Sequence, residues 1–339
     1  MRQFAGSLGF TLAALIAAVV YGWFDTGSIS ATAGVVWIVL VLGVLEISLS
    51  FDNAVVNAAV LTGMDVVWQR RFLTWGMVIA VFGMRIVFPL AIVATAAGLS
   101  PVDALILSLT DPARYEAIVS SAHNAIAGFG GAFLLLVGLD YFLDPDKTVH
   151  WIGWIERPLA ALALVRSGGI ALVLALLLII ARLLPGHAAL VFVESGLAGI
   201  IAHIVVDAIG TMLEAREAAR RVAGVLVRSG LGGFVYLNVL DASFSFDGVI
   251  GGFALSNNMV IIALGLSVGA MFVRSITLML VHRGALAQYR YLEHGAFWAI
   301  IALGAIMLGS ARIAIPDSVT GLIGAILIAL ALWTSRRTA

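Results

Sequence analysis

Leu45-Glu46-Ile47-Ser48-Leu49-Ser50-Phe51-Asp52-Asn53 stands inside an apolar stretch from Val35 to Leu61, and Leu240-Asp241-Ala242-Ser243-Phe244-Ser245-Phe246-Asp247-Gly248 stands inside another, from Phe234 to Leu255. Acid, Ser, Ser, Phe and Asp recur in register. Each host stretch is long enough to cross a bilayer, which takes roughly 20 apolar residues. Beyond the motifs the likeness continues: Arg85 follows Asp52 by 33 residues and Arg274 follows Asp247 by 27, each in the next apolar stretch. The motifs therefore read as the centres of two copies of one unit, set in membrane-spanning helices.

Composition agrees with a membrane setting. Of 339 residues, 62% are hydrophobic and 11% charged, less than half the charged share of an ordinary soluble domain. Lys+Arg and Asp+Glu both number 19, so nothing points to nucleic acid or to a polyacidic partner. Without cysteine there is no disulfide, thiolate site or thiol nucleophile, and only oxygen and nitrogen ligands remain. The apolar run after Met1 ends in Tyr21-Gly22-Trp23-Phe24 and not in small residues, which suits a retained helix at a membrane interface better than a cleaved signal peptide.

Ten spans can be read: Leu8 to Phe24, Val35 to Leu61, Phe72 to Ala97, Ala125 to Leu143, Leu159 to Leu184, Ala188 to Leu213, Phe234 to Leu255, Val260 to Val281, Phe297 to Leu308 and Val319 to Trp333. With both termini cytoplasmic, fourteen basic residues fall inside: Arg2, Arg70, Arg71, Lys147, Arg157, Arg166, Arg216, Arg220, Arg221, Arg228, Arg283, Arg290, Arg336 and Arg337. Only Arg114, Arg182 and Arg312 fall outside, the asymmetry expected of cytoplasmic loops. The expected fold is an all-α polytopic bundle of about ten helices, in which helices two to four and seven to nine form an inverted repeat, a recurrent transporter plan. It divides into a first helix and outer loop (1–34), a first repeat (35–143), a linker with two helices (144–230), a second repeat (231–313) and a last helix with a basic C-terminus (314–339). A bacterial inner membrane is the expected location.

Four acids near a bilayer centre cost at least ~2.5 kcal/mol each on insertion scales, which argues for use and not accident. Six residues of regular helix advance about 600° and rise about 9 Å, so Glu46 and Asp52 converge only if the helix bends. The serines, with Asn53 or Gly248 just after, suit a locally unwound segment at each motif whose carbonyls would add ligands. Glu46, Asp52, Asp241 and Asp247 are the expected metal ligands, with Ser50, Asn53, Ser245, Arg85 and Arg274 in support. Four carboxylates and two guanidiniums sum to minus two, the charge that one divalent cation neutralises. Such a donor set suits Mg²⁺, Ca²⁺ or Mn²⁺ as a transported substrate.

At these residues the chain resembles the TerC family of bacterial membrane proteins. Its signatures read roughly Leu-Glu-x-x-Leu-x-x-Asp-Asn and Asp-x-x-Phe-Ser-x-Asp-Ser, and an arginine closes the helix after each, as Arg85 and Arg274 do here. The resemblance covers Val39 to Arg85 and Asn238 to Arg274. It implies efflux of metal ions, manganese above all, with older links to tellurium resistance and to calcium and pH handling. The chain departs from the pattern at Gly248, where the family usually has Ser, and in the long insert between the repeats.

Other polar residues read more plainly. His203 and Asp207, one turn apart, suit a satisfied polar pair first and a metal pair or proton relay second. Asp140 and Asp144 are explained by interface solvation, and His123, His150, His187, His282 and His294 by positions at helix ends or in loops. Gly265 and Gly269 have the spacing that lets helices approach closely. An intramembrane aspartyl protease is the enzyme alternative, but no Gly-x-Gly-Asp precedes Asp247 and the acids exceed a dyad; no enzymatic activity is expected. A metal-sensing scaffold is the non-catalytic alternative. No ATP-binding motif is present, so proton exchange is the expected coupling.

Overall fold

The computed structural model describes residues 2–76, 78–144, 147–162, 167–222, 230–253, 255–256, 258–284, 288–313, 315 and 317–338, and these are helical wherever they are regular. In chain order the helices are α1 (Ala5–Thr26), α2 (Ile29–Leu49), α3 (Phe51–Thr62), α4 (Val66–Arg71), α5 (Phe88–Ala97), α6 (Pro101–Thr110), α7 (Pro112–Ser121), α8 (His123–Phe142), α9 (Gly153–Leu162), α10 (Gly168–Ala181), α11 (Gly186–Val222), α12 (Leu231–Phe253), α13 (Met259–Arg283), α14 (Leu292–Ser310) and α15 (Asp317–Thr338). Among the described residues seven helices are long and apolar enough to cross a membrane: Ala5–Thr26, Ile29–Leu49, Val66–Thr95, His123–Phe142, Gly186–Leu213, Met259–His282 and Leu292–Ser310. Large apolar side chains such as Leu12, Trp37, Leu178 and Ile201 face outward, a surface that water would penalise and lipid would not. The protein is a multi-pass helical membrane protein.

Several expected spans are more articulated than their hydropathy suggests. The stretch Val35 to Leu61 is two helices, α2 and α3, which meet at Ser50. Between α4 and α5 the chain runs in wide π turns, Phe72–Gly76 and Ile79–Val87. The short helices α6 and α7 have no place in a span count. Each starts with a proline at its first turn, after Ser100 or Asp111, whose side chains accept from the backbone N–H of Asp103 and Arg114. The stretch Leu159 to Leu184 includes residues 163–166, outside the described residues; α9 and α10 flank them. Arg166 and Arg228, used above to orient loops, also lie outside the described residues.

Glycines set the closest helix crossings. A Cβ on Gly265 would press on Leu42 and lie 3.0 Å from Val39 O, and one on Gly43 would lie 3.1 Å from Val268 Cγ1, so α2 and α13 touch backbone to backbone. The spacing at Gly265 and Gly269 thus does the packing expected of it. Gly131, Gly138 and Gly304 do the same between α8 and α14. The α2–α13 crossing carries the site, because it brings Glu46 beside Gly269.

Away from that crossing, the segment entering α9 is tied down by Glu156, a buried carboxylate that the sequence reading passed over. It accepts from Trp151 N (2.9 Å), Ile152 N (3.1 Å) and Trp298 Nε1 (3.0 Å). His150 and His294 stand 3.6 and 3.9 Å from its Oε2. Burial pushes this carboxyl up, but those donors and the His294 charge hold it below the usual carboxylate range. His294, in the first turn of α14 as its helix-end position implied, is buried, with its ring nitrogens 3.2 Å from Tyr141 Oη and 2.9 Å from Val149 O.

Candidate functional site

Glu46 ends α2 one turn before the kink. Ser50 has φ −103° and ψ 17°, outside the helical well, yet its N–H still donates to Glu46 O (2.9 Å) and its carbonyl accepts from Ala54 N (3.1 Å). The backbone is bent here and not unwound. The Ser50 hydroxyl turns back to donate to Glu46 Oε1 at 2.9 Å. The second motif differs: α12 runs without a break from Leu231 to Phe253, so the symmetric unwinding expected of both motifs is absent. The bend in the first copy lies at Ser50, whose hydroxyl is spent on the Glu46 side chain.

Arg85, near the end of the second π segment, forms an ion pair with Glu46, and both side chains are buried. Its Nη1 donates to Ala80 O (2.6 Å) and its Nε to Leu266 O (3.1 Å) on α13. The π turns shift the register of this strand of backbone, a device often found at functional sites. The guanidinium therefore ties three elements together through three of its donors, in a setting where hydrogen-bonded charge is favoured over unpaired charge.

The space beyond this pair is a cavity of about 30 Å³ lined by Glu46, Ser50, Asn53, Asn57, Arg85, Asp241, Arg274 and Thr277, with apolar residues between them. Room for one water takes about 10–15 Å³, so this volume suits two or three waters or a single small ion that has shed most of its hydration shell. Asn53 Nδ2 donates to Asp241 Oδ1 at 2.8 Å and links the first motif to the second. Because an ionised Asp241 can only accept, this bond fixes which way the Asn53 amide points. Arg85 thus pairs with a motif carboxylate. Arg274 Nε donates to Leu73 O (2.8 Å), and among the described residues, which leave out the Asp247 side chain, it has no ion pair.

The four expected ligands are not all brought together. Glu46 and Asp241 share the cavity, while Asp52 is not among its lining residues. Asp52 is buried on another face of α3, where a Cβ added to Gly324 of α15 would stand 3.7 Å from its Oδ2. The helical phase that separates Glu46 from Asp52 is thus kept through the kink. The side chains of Ser245 and Asp247 lie outside the described residues. Among the described residues no three of His, Asp and Glu form a metal-holding group, and the described charged lining is two carboxylates and two guanidiniums, neutral where minus two was expected.

What the motif reading missed is the stripe Glu46, Ser50, Asn53, Asn57. Its spacing, i, i+4, i+7, i+11, is one helical face, and all four residues line the cavity. Asn57 lay in plain view in that pattern.

His203 also has a different partner from the one expected. Its Nε2 lies 2.9 Å from Asp140 Oδ2 on α8, and Asp207 lines the same cavity of about 500 Å³. Asp140 is therefore more than a solvated end of helix.

No curated protein and no solved structure matches this chain. A protein-family model matches residues 51–339, a region holding every polar lining residue of the central cavity except Glu46 and Ser50. The chain belongs to the family described as Protein of unknown function (DUF475).

Proposed function

We propose that the chain is a membrane transporter that exports a divalent cation, Mn²⁺ before Ca²⁺ or Mg²⁺, through the cavity between α2, α3, α12 and α13. The observation that carries this is the joining of two motif carboxylates, Glu46 and Asp241, at one cavity of ion size, with Asn53 of the first motif hydrogen-bonded to Asp241 of the second. Ionisable groups at that depth are costly and mark ion pathways. The resemblance of both motifs to TerC supports a metal cargo.

In this reading the Arg85–Glu46 pair is the resting counter-charge. An entering cation competes with the guanidinium for Glu46, and a proton serves the same carboxylates when the cation leaves. The balance of two carboxylates and two guanidiniums among the described lining residues fits that exchange, since a large surplus of negative charge would hold a divalent ion too tightly to release it. Ten membrane crossings with cytoplasmic termini, and an inverted repeat rocking about the cavity, complete the proposal. Its support is the basic-residue asymmetry and the arrival of Arg85 and Arg274 at the same cavity from the helix after each motif.

The test is Mn²⁺ uptake by proteoliposomes holding the full chain, read with a trapped metal-quenched dye. Flux that depends on Glu46 and on an imposed proton gradient is expected. Binding without flux would leave a metal-sensing scaffold. Neither flux nor binding would end the metal reading.

A further inference from the structure

Asn57 is a buried amide whose Oδ1 has no hydrogen-bond partner among the described residues, and the same holds for Asn53 Oδ1 one turn earlier. Buried polar atoms are nearly always satisfied, so a matched pair on one face calls for a physical reason. Residues at i and i+4 stand about 6 Å apart at Cβ, close enough for both carbonyl oxygens to reach a common partner. Both side chains line the central cavity, and the Thr277 side chain lines it too.

The three kinds of oxygen in this cavity are not equally free. Glu46 Oε1 already takes Arg85 and the Ser50 hydroxyl, while Thr277 Oγ1 gives its proton to Val273 O (3.0 Å) and keeps its lone pairs. Asp241 accepts only the Asn53 amide among the described residues. The two buried amide oxygens, of Asn53 and Asn57, have no partner at all among the described residues, and Asp241 stands beside them on the lining. A partner for carbonyl oxygens must be a donor or a cation, and a carboxylate beside two amide oxygens favours the cation.

Resting on the transport reading, we infer that Asn57 is a binding residue for the cargo: with Asn53 and Asp241 it forms an amide-and-carboxylate position for a partly dehydrated divalent cation. This position stands toward the Thr62 end of α3, about two to three turns beyond Glu46. Its two neutral oxygens replace waters of hydration without adding charge. The ion is thus received at the Asn57 end while Arg85 still occupies Glu46, and it meets the second carboxylate only when that pair opens.

The experiment uses the full chain in lipid nanodiscs, titrated with Mn²⁺ and read by the electron paramagnetic resonance of the free ion, together with thermal unfolding in metal-free buffer. Asn57→Leu removes the oxygen at similar volume, and the expected result is a Kd weakened about tenfold or more, the range that even indirect supports of metal sites reach. A purely structural amide gives the opposite pattern, because replacing an unpaired buried oxygen raises the metal-free melting temperature and leaves the Kd unchanged. That result overturns the inference. Should Asn57→Leu not fold, Asn57→Asp decides, since it keeps an oxygen in place and adds a charge: a shifted Kd supports the assignment, and an unchanged one overturns it. Wild-type protein that binds none of Mn²⁺, Mg²⁺ and Ca²⁺ overturns the transport reading and this inference together, whereas wild-type binding that the Asn57 variants leave unaltered overturns this inference alone.

Discussion

A Cβ on Gly248 would lie 2.7 Å from Glu46 Oε2. The second motif's last residue is thus in contact with the first motif's acid, and the absence of a side chain there lets the carboxylate lie against α12. On the other side Gly269 leaves room for the Glu46 stem, where an added Cβ would come within 2.5 Å of Glu46 Cγ. Two glycines cradle one glutamate. The departure from the TerC pattern at Gly248 is therefore a matter of space as well as of a lost hydroxyl.

Gly248→Ala forces Glu46 away from its present rotamer. The expected cost is about 1–3 kcal/mol, that of overpacking a closed site, with loss of Mn²⁺ flux. Glu46→Asp shortens the side chain, and combined with Gly248→Ala it recovers part of the stability. The double-mutant cycle in thermal unfolding checks this; purely additive effects would show that the two residues do not meet.

Removing Arg85 has a larger effect. Arg85→Met leaves Glu46 buried without its counter-charge, a change worth about 3–5 kcal/mol in buried ion pairs. Glu46→Gln in the same chain should recover most of the loss, since the surplus charge goes with it. Arg274→Met should cost less, because Arg274 holds a backbone carbonyl and no carboxylate among the described residues. Melting temperatures in one detergent rank the three variants, and equal losses for Arg85→Met and Arg274→Met would refute the ranking.

How much of this was legible in the sequence differs by level. Apolar runs and punctuating charges reveal a helical membrane protein because lipid imposes helix on any spanning segment. That Arg85 belongs with the motif acids was legible too, since a charge at such depth needs a counter-charge, whereas its choice of Glu46 was not. Asp52 was expected to converge with Glu46 through a bend, and it is not among the lining residues of the cavity: six residues of helix place the two on different faces, and a one-residue kink at Ser50 does not undo that. The π turns carrying Arg85 and the choice of Asp140 as partner of His203 depend on packing between distant elements, which periodicity along one helix does not encode.

Lys147 is the chain's one lysine, so amine chemistry reports on it with only the N-terminus as competitor. Its Nζ lies 3.4 Å from the Tyr141 ring centroid and 4.1 Å from that of Phe142. Burial lowers its pKa to about 8, against the opposing pull of Glu156, Asp144 and Glu293. Acetic anhydride labelling across pH, read by mass spectrometry of the Lys147 peptide, should reach half-reaction near pH 8, and a midpoint close to the ordinary lysine value of 10.5 would refute it. The unfolded chain holds the proton up to about 10.5 and the folded chain gives it up near 8, so stability should rise as pH rises between those values.

The sharpest comparison sets Asp52 against Glu46 and Asp241. Each of Glu46→Gln, Asp52→Asn and Asp241→Asn keeps shape and one carbonyl oxygen while removing a negative charge, so losses report charge and ligation and not packing. Sequence likeness groups all three as ligands, but the cavity includes only Glu46 and Asp241. Glu46→Gln and Asp241→Asn should therefore lose Mn²⁺ binding, whereas Asp52→Asn should keep it. Asp207→Asn, in the separate cavity beside His203 and Asp140, serves as the control and should bind as wild type. Asp52→Asn can still stop flux if Asp52 carries the exchanged proton, so binding and flux must be measured on the same preparations. If Asp52→Asn loses binding as fully as Glu46→Gln does, then Asp52 turns into the site in a second conformation. If only Asp207→Asn loses binding, the cargo site is the one at His203, and the central cavity is structural.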